Sequence, residues 1–160
     1  MKTVLLRCQL AFLLAVSMFY AQSAVAQEQS GKVKGCSNAT PRGGFAYTST
    51  GTLLDSYVPP PLAGPFAEVG RQTFDGKGNT DATATSSANG NIVQVTISGT
   101  YTVNPDCTGT MTLNVSPLGA VVHADFVISN DGAELRAIVS DANLIESRVY
   151  SKQFRSDRDE

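Results

Sequence analysis

Residues 92–103 carry the pattern that most restricts what this chain can fold into. Apolar side chains recur there at every second position, at Val93, Val95, Ile97, Tyr101 and Val103, and the residues between them are mostly Thr, Ser and Gln. A period of two belongs to a β-strand that buries one face and leaves the other in water. An α-helix would scatter the same apolar side chains around its axis. The pattern therefore predicts an all-β domain whose sheet has one solvent-exposed face.

Seven further segments have the length and composition of strands. Turn-forming residues rich in Asn, Asp and Gly separate most of them, for example at 75–79, 89–91 and 130–132. We predict strands at 45–53, 66–74, 79–87, 92–103, 110–115, 121–128, 134–140 and 144–153. The short connections predict that each strand pairs antiparallel with the next.

An antiparallel meander of about eight strands can close into a barrel or pack as a sandwich. Closure removes the exposed edges that a sheet must otherwise protect. We therefore expect an eight-stranded antiparallel up-and-down barrel over residues 43–153, with a β-sandwich as the alternative. Residues 55–65 contain Pro59, Pro60 and Pro61, which cannot donate to a ladder. They predict an extended connection, interpreted first as a plain surface loop and alternatively as a lid at the barrel mouth.

The first 26 residues have the features of a cleavable signal peptide. Lys2 and Arg7 give a basic start, an apolar run covers residues 10–19, and Ala24-Val25-Ala26 supplies a small-residue cleavage site. The run is too short to cross a bilayer, so we expect no membrane span. The prediction is a secreted or periplasmic protein with an N-terminal segment at 27–42 and a disordered tail at 154–160.

The cysteines predict one disulfide. Cys8 would leave with the signal peptide, and Cys36 and Cys107 would remain as a pair in an oxidising compartment. Such a bond closes a loop of about 70 residues, which the chain-entropy model values at roughly 4 kcal/mol.

Charge and residue counts argue against several classes of partner. The formal net charge is −2 and is dispersed, whereas nucleic-acid binding requires clustered Lys and Arg. The single histidine, His123, and oxidised cysteines leave too few ligands for zinc, so no metal or cofactor is expected. Alternation in 121–128 places His123 and Asp125 together on the solvent face, where they are interpreted as polar surface.

Two motifs carry a resemblance to known proteins. Residues 73–79 read TFDGKGN and residues 99–110 read GTYTVNPDCTGT. This pattern resembles a group of small exported bacterial proteins of unassigned role, over residues 36–153. Those proteins are similar, more distantly, to the allene oxide cyclase barrel and other lipocalin-like barrels. The resemblance implies a fold rather than an activity, and no residue here can be matched to the catalytic residues of a plant cyclase.

Strand 66–74 offers one candidate for chemistry. If its aromatic residues point into a barrel, Glu68 points in with them, and a carboxylate in an apolar lumen could act as an acid or base. The poor alternation of this strand favours the opposite orientation, with Ala67, Val69 and Thr73 inward and Glu68 in water. The candidates for lining the lumen are Tyr47, Phe66, Glu68, Gln72, Phe74, Tyr101, Met111 and Phe126.

Three functions remain open from the sequence. The favoured one is a non-catalytic protein that binds a small apolar molecule in the lumen or mouth of the barrel. The second is a cofactor-free cyclase or isomerase that uses Glu68 with a tyrosine. The third is a passive envelope or interaction protein whose lumen is filled by its own side chains.

Overall fold

The computed structural model of this protein describes residues 35–153. The predicted signal peptide, the first part of the N-terminal segment and the predicted tail lie outside the described residues. The described part contains eight strands: β1 (Gly43–Leu53), β2 (Gly64–Phe74), β3 (Asn79–Ala88), β4 (Asn91–Val103), β5 (Thr108–Ser116), β6 (Ala120–Ser129), β7 (Glu134–Val139) and β8 (Leu144–Lys152). A single 3-10 turn, Asn130–Gly132, separates β6 from β7. None of the helical structure described here is long and apolar enough to cross a membrane.

The eight strands form a closed up-and-down barrel. Each strand pairs antiparallel with the next along the chain, and β8 pairs antiparallel with β1. The barrel prediction is confirmed, and the sandwich alternative is wrong because the β1–β8 ladder leaves no free edge. The predicted strand boundaries agree with the observed ones to within two residues at each end.

Aromatic rings fill the half of the lumen that lies near the first residues of β1. The ring of Phe74 packs edge-on against Phe45 and Tyr101, with centroid distances of 5.5 and 5.1 Å, and it also contacts Tyr150. Tyr47 packs on Tyr150 at 5.2 Å. Buried aromatic pairs of this kind are a main source of core stability. We call this end of the barrel the closed end and the opposite end the open end.

The chain before β1 covers the closed end. Cys36 forms the predicted disulfide with Cys107 in the β4–β5 turn, with a Cα–Cα distance of 5.0 Å. Asn38 accepts hydrogen bonds from the Tyr101 hydroxyl on its carbonyl oxygen and from the Val103 backbone N–H on its Oδ1, both at 2.8 Å. Pro41 is fully buried. We call residues 35–42 the N-terminal cap.

The cap also fits closely against the β6–β7 turn. Gly132 has a φ of +82° there, and a Cβ atom on it would lie 2.5 Å from the carbonyl oxygen of Thr40. A side chain at this position would therefore meet both backbone strain and backbone atoms of the cap. Contacts with the β4–β5 and β6–β7 turns hold the cap across the closed end.

Strand β2 is oriented with its carboxylate inside the barrel. Glu68 is 7% exposed and Val69 is 58% exposed, so the expectation of an inward Val69 and a solvated Glu68 is wrong. Side chains from other strands give Glu68 hydrogen-bonding partners inside the lumen. The sequence of β2 alone does not reveal these partners. Gly70 lies on the same inward face, where a Cβ would come within 2.7 Å of the Tyr47 ring. The missing side chain makes room for Tyr47 beside Glu68.

Candidate functional site

A cavity of about 620 Å³ occupies the open half of the barrel. Its walls are mainly apolar, and their residues come from seven of the strands: Leu53, Phe66, Ala88, Val93, Val95, Ile97, Val115, Val122 and Leu144. Inward positions of neighbouring strands supply these side chains, as the period of two requires. The open half of the lumen is therefore a space that the protein's own side chains do not fill.

Two connections form the rim of the cavity. Residues 54–63, which we call the proline loop, contribute Tyr57, Val58, Pro59 and Leu62, and the β5–β6 turn contributes Pro117, Leu118 and Gly119. The side chain of Asn89 donates a 2.9 Å hydrogen bond to the carbonyl oxygen of Pro61, and the Leu54 N–H donates to the carbonyl oxygen of Asn143 at 3.2 Å. The proline loop is therefore part of the cavity wall rather than the plain surface loop expected first.

The inner end of the cavity is polar. Glu68, Ser86, Glu146 and Arg148 line it, and we call these four residues the polar floor. Arg148 Nε donates to Glu146 Oε1 at 2.5 Å, and the Ser49 hydroxyl donates to the same oxygen at 2.6 Å.

Glu68 has its own set of donors in the floor. The Tyr47 hydroxyl donates to Glu68 Oε1 at 2.7 Å, and the Ser86 hydroxyl donates to Glu68 Oε2. Arg148 Nη2 lies 3.9 Å from Glu68 Oε1, which is an ion-pair distance but too long for a hydrogen bond. The two carboxylates thus share one guanidinium, and only Glu146 is hydrogen-bonded to it.

Burial and charge fix the protonation of two groups near the floor. Burial by itself would lower the pKa of Arg148, but Tyr150, Glu146 and Glu68 around it raise that pKa above its ordinary value. Burial, together with the charge of Glu68, raises the pKa of Tyr47 far above its ordinary value. At neutral pH Arg148 is therefore a cation and Tyr47 a hydroxyl donor, as their hydrogen bonds require.

Two donors on residues that line the cavity lack a protein acceptor. Within residues 35–153, neither Arg148 Nη1 nor the hydroxyl of Tyr57 has a hydrogen-bond partner, although both atoms are buried. Burial raises the pKa of Tyr57, and the charges of Asp141 and Glu146 raise it further, so its hydroxyl keeps its proton at neutral pH. Buried polar atoms without partners are rare in folded proteins, and each needs an explanation.

The structure separates the eight candidate lining residues into three groups. Phe66 and Glu68 line the cavity, and Tyr47 lies behind it with its hydroxyl on Glu68. The other five are buried away from the cavity wall and fill the lumen: Gln72, Phe74, Tyr101, Met111 and Phe126. Among them, Gln72 donates a 2.8 Å hydrogen bond to Thr80 Oγ1. Phe74 and Tyr101 pack against each other in the closed half.

Sequence reasoning missed Ser86, Glu146, Arg148 and Tyr57. In β8 the apolar residues Ile145 and Val149 are 62% and 50% exposed, whereas Glu146 and Arg148 point inward. Apolar alternation read alone therefore gives the wrong face for this strand. The signal that could have corrected it is that Glu146 and Arg148 share their face with Leu144 and Tyr150, which are also buried.

The outer wall carries the remaining polar features. His123 is exposed as predicted, and its Nδ1 lies 2.8 Å from Asp141 Oδ1, while its backbone N–H donates to Asp141 Oδ2 at 2.6 Å. This contact ties β6 to the β7–β8 turn. Two grooves of about 610 and 540 Å³ also lie on the outer wall, lined largely by exposed side chains. No cluster of three or more metal-ligating side chains occurs in the described part of the chain.

No protein-family model, curated protein or solved structure matches this chain. The resemblance to small exported bacterial proteins and to the allene oxide cyclase barrel therefore stays a prediction. The case for a function depends on the cavity and its polar floor.

Proposed function

We propose that this barrel binds a small, largely apolar molecule in the open-end cavity and releases it chemically unchanged. The observation that carries the proposal is the cavity of about 620 Å³ with apolar walls and a small polar floor. Ligand pockets commonly have volumes of about 300–1,000 Å³, and a few polar groups among apolar walls orient what binds in them. A filled-core structural role gives no reason for such a space.

The two ends of the barrel support a single route of entry. Aromatic rings and the N-terminal cap occupy the closed end, where Cys36 is joined to Cys107. The proline loop and the β5–β6 turn surround the open end. A ligand would enter between these two connections and place its apolar part against the strand walls.

We propose that the protein acts outside the cytoplasm. A disulfide such as Cys36–Cys107 persists in oxidising compartments and is rare in reducing ones. The basic start, apolar run and small-residue site within residues 1–26 support the same location. Edman sequencing of protein recovered from the periplasm or medium, with a first residue near Gln27, would be the expected result.

Binding of a fluorescent apolar probe tests the proposal. The probe should bind saturably to the purified protein, and Val93→Phe should weaken binding about tenfold or more because the larger ring occupies the cavity. Gln94→Phe is the matched control, since Gln94 is the next residue of β4 and is exposed. Its affinity should equal that of the unchanged protein. Non-saturable binding, or equal affinity for all three proteins, would contradict the proposal.

One observation favours a second candidate, a cofactor-free isomerase or cyclase. Glu68 is a buried carboxylate at the inner end of the cavity and accepts hydrogen bonds from Tyr47 and Ser86. A positioned carboxylate in such a place can move a proton on a bound molecule. Mass spectrometry of a bound ligand after prolonged incubation distinguishes the two functions. The binding proposal expects the ligand unchanged, whereas the second candidate requires a rearranged product that Glu68→Gln no longer forms.

A further inference from the structure

One carboxylate oxygen of the polar floor receives no hydrogen bond from the residues that the structure describes. Both oxygens of Glu68 accept hydroxyl donors, and Glu146 Oε1 accepts from the Ser49 hydroxyl and from Arg148 Nε. Glu146 Oε2 is the oxygen that remains. Each oxygen of a carboxylate can accept hydrogen bonds, so Glu146 has capacity for a further donor.

Glu146 Oε2 opens onto the cavity. Glu146 lies on the inward face of β8, lines the cavity and is 3% exposed. Its Oε2 does not belong to the fully buried atoms without partners, which include Arg148 Nη1 and the hydroxyl of Tyr57. The space that Oε2 contacts is therefore the cavity, and a ligand can reach this oxygen without a rearrangement of the floor.

The charged side chains of the cavity carry an excess of negative charge. The carboxylates of Glu68 and Glu146 face the single guanidinium of Arg148, and no other charged residue within 35–153 lines the cavity. Arg148 lies on the Oε1 side of Glu146, with its Nε 2.5 Å from that oxygen. A buried charge without a partner is costly, and a cation that also donates a hydrogen bond is the partner that offsets this cost best.

The negative charge also acts at the rim. Burial raises the pKa of Tyr57, the charges of Asp141 and Glu146 raise it further, and the opposing effect of Arg148 is smaller. Tyr57 therefore lies in a field that favours positive charge. A cation that enters past the proline loop is attracted both at the rim and at the floor.

Other head groups fit the floor less well. An anionic group would place a third negative charge beside Glu146 in a buried site. A ketone oxygen finds no free donor, because the hydroxyls of Ser49 and Ser86 already donate to the carboxylates and Arg148 Nη1 is fully buried. An alcohol can donate to Glu146 Oε2, but it leaves the excess charge unbalanced.

We infer that the ligand is a hydrophobic amine, bound as its ammonium ion with an N–H group that donates to Glu146 Oε2. The inference rests on the proposed function, since it names the class of molecule that the cavity takes. Glu146 then joins two cations, with Arg148 on Oε1 and the ligand on Oε2. The apolar part of the amine lies along the strand walls toward the rim.

Four probes with the same ten-carbon chain test the inference on the unchanged protein. Decylamine, decan-1-ol, decan-2-one and decanoate are compared by displacement of the fluorescent apolar probe at neutral pH, where an alkylamine is protonated. Decylamine should bind at least about tenfold more tightly than each of the other three. It alone brings both a donor and a positive charge to the floor.

Glu146→Gln removes the negative charge and keeps an acceptor oxygen for Ser49 and Arg148. The affinity for decylamine should fall about tenfold or more, so that the preference over decan-1-ol is lost. Glu134→Gln is the matched control, because Glu134 alternates with the buried Leu135 and therefore faces outward from β7. It removes the same charge and should leave the affinity for decylamine unchanged.

The outcomes separate the inference from the proposed function. Decan-1-ol, decan-2-one or decanoate binding as tightly as decylamine would overturn the inference and leave the binding function standing. An unchanged preference for decylamine in folded Glu146→Gln would overturn it in the same way, and if this variant does not fold, the four probes decide alone. If decylamine does not displace a probe that binds saturably, only the inference is wrong. If the fluorescent probe itself does not bind saturably, the proposed function is wrong as well.

Discussion

The hydroxyl of Tyr47 donates a 2.7 Å hydrogen bond to Glu68 Oε1 inside the barrel, between neighbouring strands. Gly70 faces the Tyr47 ring and has no side chain to displace it. Glu68 therefore remains inside the lumen with a donor on each of its oxygens, from Tyr47 and Ser86. This pair links the packing of the closed half to the chemistry of the cavity.

Tyr47→Phe should destabilise the barrel by about 2 kcal/mol, because it removes a hydrogen bond to a buried carboxylate and keeps the ring. Tyr57→Phe is the matched control, since the Tyr57 hydroxyl is buried without a partner in the described residues. It should change the free energy of unfolding by less than about 0.5 kcal/mol. Urea denaturation of the two variants measures both values, and equal losses would contradict this account of Glu68.

Arg148→Met should destabilise the protein by about 3–5 kcal/mol, because Glu68 and Glu146 would stay buried without their shared cation. Replacing the carboxylates as well, in the combination Glu68→Gln, Glu146→Gln and Arg148→Met, should recover most of this loss. Equilibrium denaturation of the single and triple variants provides the comparison. If the triple variant is no more stable than Arg148→Met, unpaired charge in the floor is not the reason that Arg148→Met lowers the free energy of unfolding.

The disulfide should stabilise the fold without affecting the cavity. Replacing Cys36 and Cys107 together by Ser should lower the free energy of unfolding by roughly 4 kcal/mol, from the loss of a long loop closure, and should expose the N-terminal cap to proteases. Probe affinity should not change in the fraction that stays folded, since the bond lies at the closed end and the cavity at the open end. Weaker binding by the folded double variant would mean that the two ends are coupled.

Asp75 should make stability depend on acid pH. Hydrogen bonds from the Asn79 side chain and from the backbone N–H groups of Asn79 and Lys77 lower its pKa to about 2, below the ordinary 3.8. A folded-state pKa below the unfolded value gives a contribution that is complete above about pH 4 and is lost as the pH falls through about 2. The melting temperatures of the unchanged protein and Asp75→Asn should therefore differ most above pH 4 and converge near pH 2. A constant difference across that range would contradict the assignment.

Most of the fold could be predicted because it is encoded locally. The alternation of β4, the Asn, Asp and Gly turns and the even pair of cysteines each depend on neighbouring residues or on counts. The site could not be predicted in the same way. The inward orientation of Glu68 depends on Tyr47 in β1, Ser86 in β3 and Arg148 in β8, which only the closed barrel brings together.

The sequence also could not predict which half of the lumen is filled by side chains and which half is open. An eight-stranded barrel can be filled by side chains or hold one small ligand, and the strand pattern is the same in both cases. Here Phe45, Phe74 and Tyr150 pack together at one end, while smaller side chains such as Ala88 and Ser86 line the other. Which half is open follows from this packing.

Methyl NMR of the full folded domain, with labelled Val, Leu and Ile and increasing amounts of the fluorescent apolar probe, tests the central claim most directly. Ligand binding in the lumen predicts that the methyl signals of Leu53, Val95 and Leu144 shift saturably, because these side chains line the cavity. The outward methyl groups of Val69, Val127 and Val149, which are exposed, should not shift. Shifts confined to the outward methyl groups, above all to Val127 in an outer groove, would show that the cavity is not the binding site.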